Sequence, residues 1–191
     1  MNCNIKSDQK QMTISKLTLF TLIVVFFLFG CSRHSQNDKS QNQRPKDKAL
    51  QEKLFDANRQ AMRVEDQQIG DFAERYGWEM KTTGTGLRYM IYENGTGKQA
   101  EDGMLATIDY QARLLNGELI YSSQPGIPLT FRIGQDAAVP TGVHRGILLL
   151  RQGDHAKFIL PSHLAFGLTG DQKKVPPKST LVYDLQLVAL K

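Results

Sequence analysis

Residues 105–134 read LATIDYQARLLNGELIYSSQPGIPLTFRIG. Over residues 105–115 apolar and polar side chains alternate, the period of a strand with one face on a core. Asn116-Gly117 then gives a strong two-residue hairpin signal, because the favoured turn needs positive φ at both central positions. The chain returns through residues 118–122, and residues 128–133 make another strand. Working outward, the texture continues: of the 16 glycines all but Gly30 lie at or beyond Gly70, and they punctuate strand candidates at 87–92, 156–160 and 181–190. Residues 143–150 have room for only about two helical turns. The expected fold class is α+β: an antiparallel sheet of five or six strands wrapped on one short helix, occupying residues 84–191 and preceded by a helical segment.

That segment begins at Ala49. Residues 49–76 hold no proline and one glycine, and strong helix formers dominate. Phe55, Met62, Ile69 and Tyr76 recur every seven residues, with Phe72 and Ala73 on the same side, so one long or two short amphipathic helices are expected, ending at Gly77. Asn58 and Glu65 are polar where a second heptad seam would need apolar residues. The helical stem, residues 49–83, is therefore expected to pack on its own domain, with pairing into a homodimer through the 49–76 helices as the alternative. Residues 32–48 contain no apolar side chain except Pro45 and are expected to form a flexible tether, since they bury nothing to offset ordering entropy.

The first thirty residues carry Lys6, Lys10 and Lys16 and then a thirteen-residue run, 17–29, that is too short to span a bilayer, which takes about 20 apolar residues. This is the pattern of a secretory signal. Its end, Leu28-Phe29-Gly30-Cys31, resembles a bacterial lipobox, although Phe29 is bulky for that motif. The resemblance implies a signal peptide over 1–30, cleavage before Cys31 and lipidation of its sulfur; the alternative leaves Cys31 a free thiol. Removing three lysines and Asp8 takes the formal charge from +5 to +3, which withdraws most support for a nucleic-acid partner.

The sequence carries none of the conventional catalytic motifs. There is no Gly-x-Ser-x-Gly elbow, and Gly95-Thr96-Gly97-Lys98 lacks the spacing and the Ser or Thr of a phosphate loop. His144, His155 and His163 follow no metal-ligand spacing, so no metal and no cofactor are expected. Asp109 and Asp184 sit in strand candidates, where a solvated or hydrogen-bonded carboxylate is the default.

What remains is an ordered series of apolar and aromatic landmarks: Ile108-Asp109-Tyr110, Tyr121-Ser122-Ser123, residues 128–134, residues 139–146, Gly153 to Lys157, Leu164-Ala165-Phe166-Gly167, Val175-Pro176-Pro177 and Leu181 to Asp184. In this order and spacing the chain resembles the FKBP-type peptidyl-prolyl cis-trans isomerases. The resemblance implies catalytic roles for Tyr110, Tyr121, Phe166 and Tyr183, and substrate binding by Ile120, Leu129, Phe131, Val139, Pro140, Val143 and Val175. Several positions depart from the family. Tyr121 stands where an aspartate is usual, Val143 where a tryptophan floors the pocket, Phe166 where a tyrosine hydroxyl binds the substrate carbonyl, and Ile120 and Leu129 replace aromatics. Tyr183 replaces a phenylalanine. These changes point to weak activity, and the alternative is that the same side chains merely fill a core.

Such an isomerase needs no proton transfer, because a dry apolar cradle favours the less polar twisted amide; activity should be nearly independent of pH near neutrality. The expected substrates are X-Pro segments of exported polypeptides. The arrangement of signal, tether, helical stem and domain is similar to the gliding-motility-associated FKBP-type lipoproteins. Ser32 after the lipidated cysteine favours the periplasmic face of the outer membrane. The competing reading is a non-catalytic chaperone or binding protein of an envelope complex.

Overall fold

The computed structural model describes residues 44–124 and 126–191, with side chains from Lys48 onward. The signal, Cys31 and residues 31–43 of the expected tether lie outside the described residues. Helix α1 runs unbroken over Arg44–Arg75. It starts earlier than the sequence suggests and takes in residues 44–48 of the expected tether. Pro45 falls in the first turn, where its missing N–H has no intrahelical partner to lose. The helix ends where expected: Trp78 N–H donates to the Ala73 carbonyl at 2.9 Å, Gly77 N–H to that of Glu74 at 2.9 Å, and Gly77 adopts φ +64°. This is the left-handed cap that glycine takes without steric cost.

Beyond it come β1 (Lys81–Thr82), β2 (Arg88–Glu93), β3 (Leu105–Leu114), β4 (Leu119–Ser122), β5 (Leu129–Arg132), α2 (Thr141–Ile147), β6 (His155–Leu160), a single 3-10 turn at Ser162–Leu164, and β7 (Leu181–Leu190). The expected five or six strands become seven, the added one being residues 81–82, within the stem range, which pair with β2. All pairings are antiparallel, in the order β1-β2-β6-β7-β3-β4, with β5 also on β3. The hairpin differs from expectation in loop length. Gly117 N–H donates to the Leu114 carbonyl and Leu114 N–H to that of Glu118, so three residues, 115–117, make the loop, with Gly117 at φ +90°.

The strand alternation decides the two cores. On β6, Phe158 and Leu160 face the main cluster, which also holds Val143 and Ile147 of α2; Ile159 faces the other way and, with Val182, packs on Ile69, Phe72 and Ala73 of α1. Helix α2 seats closely because it presents glycines to the sheet: a Cβ on Gly146 would meet the Phe158 ring at 2.4 Å, and one on Gly142 the Leu160 side chain at 2.6 Å. Only part of the α1 stripe is used. Ile69, Phe72 and Ala73 are buried, whereas Phe55 is 68% and Met62 58% exposed. Packing of the stem on its own domain thus holds from about Glu65 to Ala73, because Ile159 and Val182 are the apolar residues the sheet offers α1 there.

Candidate functional site

Strand β3 changes partner midway. Its first half pairs with β5 through Leu105 to Ile108, and its second half with β4 through Gln111 to Arg113. Tyr110 lies at the gap, where Ser123 substitutes for a strand residue: its Oγ accepts from Tyr110 N–H at 3.0 Å and its own N–H donates to the Tyr110 carbonyl at 3.0 Å. The gap lets β4 and β5 diverge and brings residues from five elements around one apolar cluster.

Ile120 and Tyr121 come from β4, Leu129 and Phe131 from β5, Val139 and Pro140 from the turn into α2, Val143 from α2, Phe166 and Val175 from the segment before β7, and Tyr183 from β7. Ile120, Phe131, Val139, Val143, Val175 and Tyr183 are buried members of one core cluster, against which Tyr110, Tyr121, Leu129 and Phe166 are half-buried. Pro140 is buried next to Val139 in the chain. The floor position, Val143, is 1% exposed, so the smaller side chain leaves no open shaft to solvent. The solvent-facing side of this cluster is therefore its half-buried rim.

The aromatics have defined geometry. The Tyr110 and Tyr183 rings stack with centroids 5.7 Å apart at 25°. Phe131 meets the His144 ring edge-on at 5.2 Å and 79°. His144 accepts from Gly134 N–H at Nδ1 (2.9 Å), which leaves Nε2 to donate to the Asp136 carbonyl (2.9 Å). That fixed ring props Phe131 and ties down the turn that delivers Val139.

At the rim, the Tyr121 hydroxyl donates to Asp171 Oδ2. The other oxygen of Asp171 accepts from the backbone N–H groups of Lys173 (2.9 Å), Lys174 (3.0 Å) and Val175 (2.8 Å), and Lys174 Nζ lies 5.5 Å from the Tyr121 ring centroid. Gly170 makes the tight loop sterically feasible: it has φ +67°, and a Cβ there would meet the Val175 carbonyl oxygen at 2.1 Å. Burial acts to raise the Asp171 carboxyl, but the Tyr121 hydroxyl and three N–H donors outweigh it and hold the pKa at about 2. The hydrogen bond to Asp171, with burial, pushes the Tyr121 phenol up to about 12. Burial raises Tyr110, and burial together with the neighbouring Tyr110 and Tyr121 raises Tyr183. All three phenols remain neutral at ordinary pH.

Sequence reasoning missed Asp171, His144 and Ser123 as supporting residues. Gly170-Asp171 was legible as a turn signal, but its partner Tyr121 is fifty positions away. Asp184 behaves as expected of a strand carboxylate, accepting from the Tyr92 hydroxyl at 2.8 Å and from Lys157. Among the described residues, no three His, Cys, Asp or Glu side chains are placed to hold a metal ion, and no helix is long and apolar enough to cross a membrane.

Residues 96–188 match the family model of FKBP-type peptidyl-prolyl cis-trans isomerases. The chain is 39% identical over 112 residues to a probable FKBP-type peptidyl-prolyl cis-trans isomerase FkpA of Neisseria meningitidis, covering 58% of this chain and 40% of the relative. It is 34% identical over 124 residues to FkpA of Escherichia coli K12, covering 63% and 44%. It thus spans less than half the length of these two curated relatives. The crystal structure of AtFKBP13 superposes with TM-score 0.55 at 31% identity, covering 59% of this chain and 99% of that one. A peptidyl-prolyl cis-trans isomerase from Pseudomonas syringae pv. tomato has the same fold, with TM-score 0.60, 22% identity and 70% and 95% coverage.

Proposed function

We propose that this chain, which belongs to the FKBP-type peptidyl-prolyl cis-trans isomerase family, catalyses cis-trans isomerisation of X-Pro bonds in exported polypeptides. The observation that carries the reading is the apolar cradle itself: ten of the eleven side chains expected at the site fall in one cluster, six of them buried and four, Tyr110, Tyr121, Leu129 and Phe166, half-buried. Rotation about a prolyl amide faces a barrier of about 18–20 kcal/mol because the twist breaks C–N resonance. The twisted amide is less polar than the planar one, so an apolar, water-poor cradle binds it preferentially and lowers that barrier. Phe166 offers no hydroxyl to the substrate carbonyl, which forfeits about 0.5–1.5 kcal/mol, or up to roughly tenfold in rate. The test is a proline-limited refolding assay with the purified chain and a Tyr110→Ala variant whose fold is checked by circular dichroism. The slow phase should accelerate with the wild type and much less with the variant; no acceleration by wild type sinks the enzymatic reading in favour of a non-catalytic binding protein, which Tyr121, Val143 and Phe166 otherwise favour.

We further propose that Cys31 carries a lipid that anchors the chain at the periplasmic face of the outer membrane, supported by the lipobox-like Leu28-Phe29-Gly30-Cys31 and by Ser32. Several acyl chains on one cysteine, at about 0.8 kcal/mol per buried CH₂, make such an anchor effectively permanent. Cys31→Ser should move the chain to the soluble fraction; a variant that stays with membranes removes this reading. The order of signal, polar segment, stem and domain supports placement with the gliding-motility-associated FKBP-type lipoproteins, in which case deletion should impair surface spreading while normal spreading excludes it. Exposed Leu54, Phe55 and Met62 favour pairing of two copies through the stem.

A further inference from the structure

Glu65 interrupts the apolar stripe of α1 at a position where a coiled-coil seam would need an apolar residue. The structure gives it another use. Its Oε1 accepts from Ser162 N–H at 2.6 Å and from the Thr180 hydroxyl at 2.7 Å, and its Oε2 accepts from the Ser162 hydroxyl at 3.1 Å. Ser162 and Thr180 are the two ends of the segment that delivers Phe166, Asp171 and Val175 to the site. One carboxylate from the stem therefore holds both ends of the loop that borders the cradle.

The rest of that segment is bonded largely to itself, with Leu164 and Val175 buried in the core. Lys178 N–H donates to the Gly167 carbonyl at 2.9 Å, Gly167 N–H to that of Ser162 at 2.8 Å, and Tyr121 holds the far tip through Asp171. Helix α1 is itself fixed at this level. The neighbouring Asp66 accepts from Arg88 Nη2 through its side chain at 2.7 Å and its carbonyl at 3.0 Å, and Ile69, Phe72 and Ala73 pack below. Glu65, Ser162 and Thr180 line a groove of about 1010 Å³ along the helix, so the clamp is not sealed within a core and can be altered without creating a large cavity.

We propose that Glu65 is a positioning residue for the prolyl site: by clamping Ser162 and Thr180 together it pre-orders the segment carrying Phe166 and Val175, and so makes substrate affinity depend on the stem helix. This rests on the isomerase reading above. Pre-ordering a loop lowers the entropy lost on binding, so releasing the clamp weakens substrate binding more than it slows the bound step.

The experiment compares the full chain with Glu65→Ala and Glu65→Gln, using kinetics on an X-Pro peptide and amide hydrogen exchange. Glu65→Ala should raise KM about fivefold with kcat within about twofold. Exchange should accelerate at Gly167, residues 173–175 and Lys178, but not at the β3 and β7 core amides. Glu65→Gln keeps an oxygen for Ser162 N–H and should restore most of the affinity. An unchanged KM in Glu65→Ala overturns the proposal, as does exchange rising equally across the sheet, which marks a merely structural role. If the wild-type chain shows no isomerisation, the isomerase reading falls by itself and exchange decides the clamp: unchanged rates at residues 167–178 in Glu65→Ala refute it.

Discussion

Tyr121 occupies a position where the family usually has an aspartate, yet the structure supplies a carboxylate at the same rim from Asp171, bonded to the Tyr121 hydroxyl. The consequence for pH follows from the directions of the two shifts. Asp171 is lowered from 3.8 to about 2, so its contribution to loop order is complete above the ordinary carboxylate value and is lost as pH falls through about 2. Tyr121 is raised from 10.0 to about 12, so its contribution is complete below 10.0 and is lost as pH rises through about 12. Activity should therefore be flat between roughly pH 5 and pH 9, and a bell-shaped kcat/KM profile in that window would argue for proton transfer and against the apolar-cradle mechanism. Asp171→Ala should cost about 1 kcal/mol of stability in urea titrations, as loss of a solvent-facing cap does, because three N–H groups lose their acceptor to water. At this scale the apolar and aromatic set was legible, since landmark order along the chain tracks the elements that carry Tyr110, Phe131, Val139 and Tyr183. Asp171 and His144 were not, because their partners are brought by loop closure rather than by periodicity.

At the scale of elements, the close approach of α2 to β6 is the constraint that shapes the floor of the site. Glycine at position 146 normally weakens a helix by about 1 kcal/mol relative to alanine. Here a Cβ would sit 2.4 Å from the ring of Phe158, which has no exposed surface into which to swing. Overpacking of a well-packed core costs about 1–3 kcal/mol, so Gly146→Ala should destabilise despite its better propensity. A lowered urea midpoint at unchanged slope is the expected result, and a raised midpoint would show that α2 can lift off the sheet at little cost. Strands β2 to β7 were readable to within a residue at each end, whereas β1, two residues inside the expected stem, was not. The hairpin loop came out one residue longer than its Asn-Gly signal indicates, since Leu115 joins the loop and Gly117 alone takes the left-handed conformation. The stem showed its period but not its use. Nothing local distinguishes Met62 from Ile69; what separates them is that Ile69 meets Ile159 and Val182 on the sheet.

Over the whole compact body, Leu54 to Lys191, exposed apolar side chains are scattered over strands and loops, as at Leu119, Ile127 and Leu168, and one stretch of helix carries several close together. Leu54, Phe55 and Met62 are each at least 55% exposed and lie on one side of the helix. Ile69 and Phe72 are already committed to Ile159 and Val182, so a seam between two copies cannot continue toward the end of the helix. Within this body about three turns, residues 54–64, remain for pairing, and a contact confined to them buries less than the roughly 1,200–2,000 Å² of a stable interface. A dimer built on it should therefore be weak and concentration-dependent. Light scattering on the purified chain should show mass rising from one copy toward two as concentration increases. Phe55→Asp combined with Met62→Asp should hold the mass at one copy without changing the urea midpoint of the body, because neither side chain touches its core. If the wild type stays at one copy across the range, the pairing reading falls. If the double variant still dimerises, the contact lies elsewhere on the body and the stripe is left without a use in assembly.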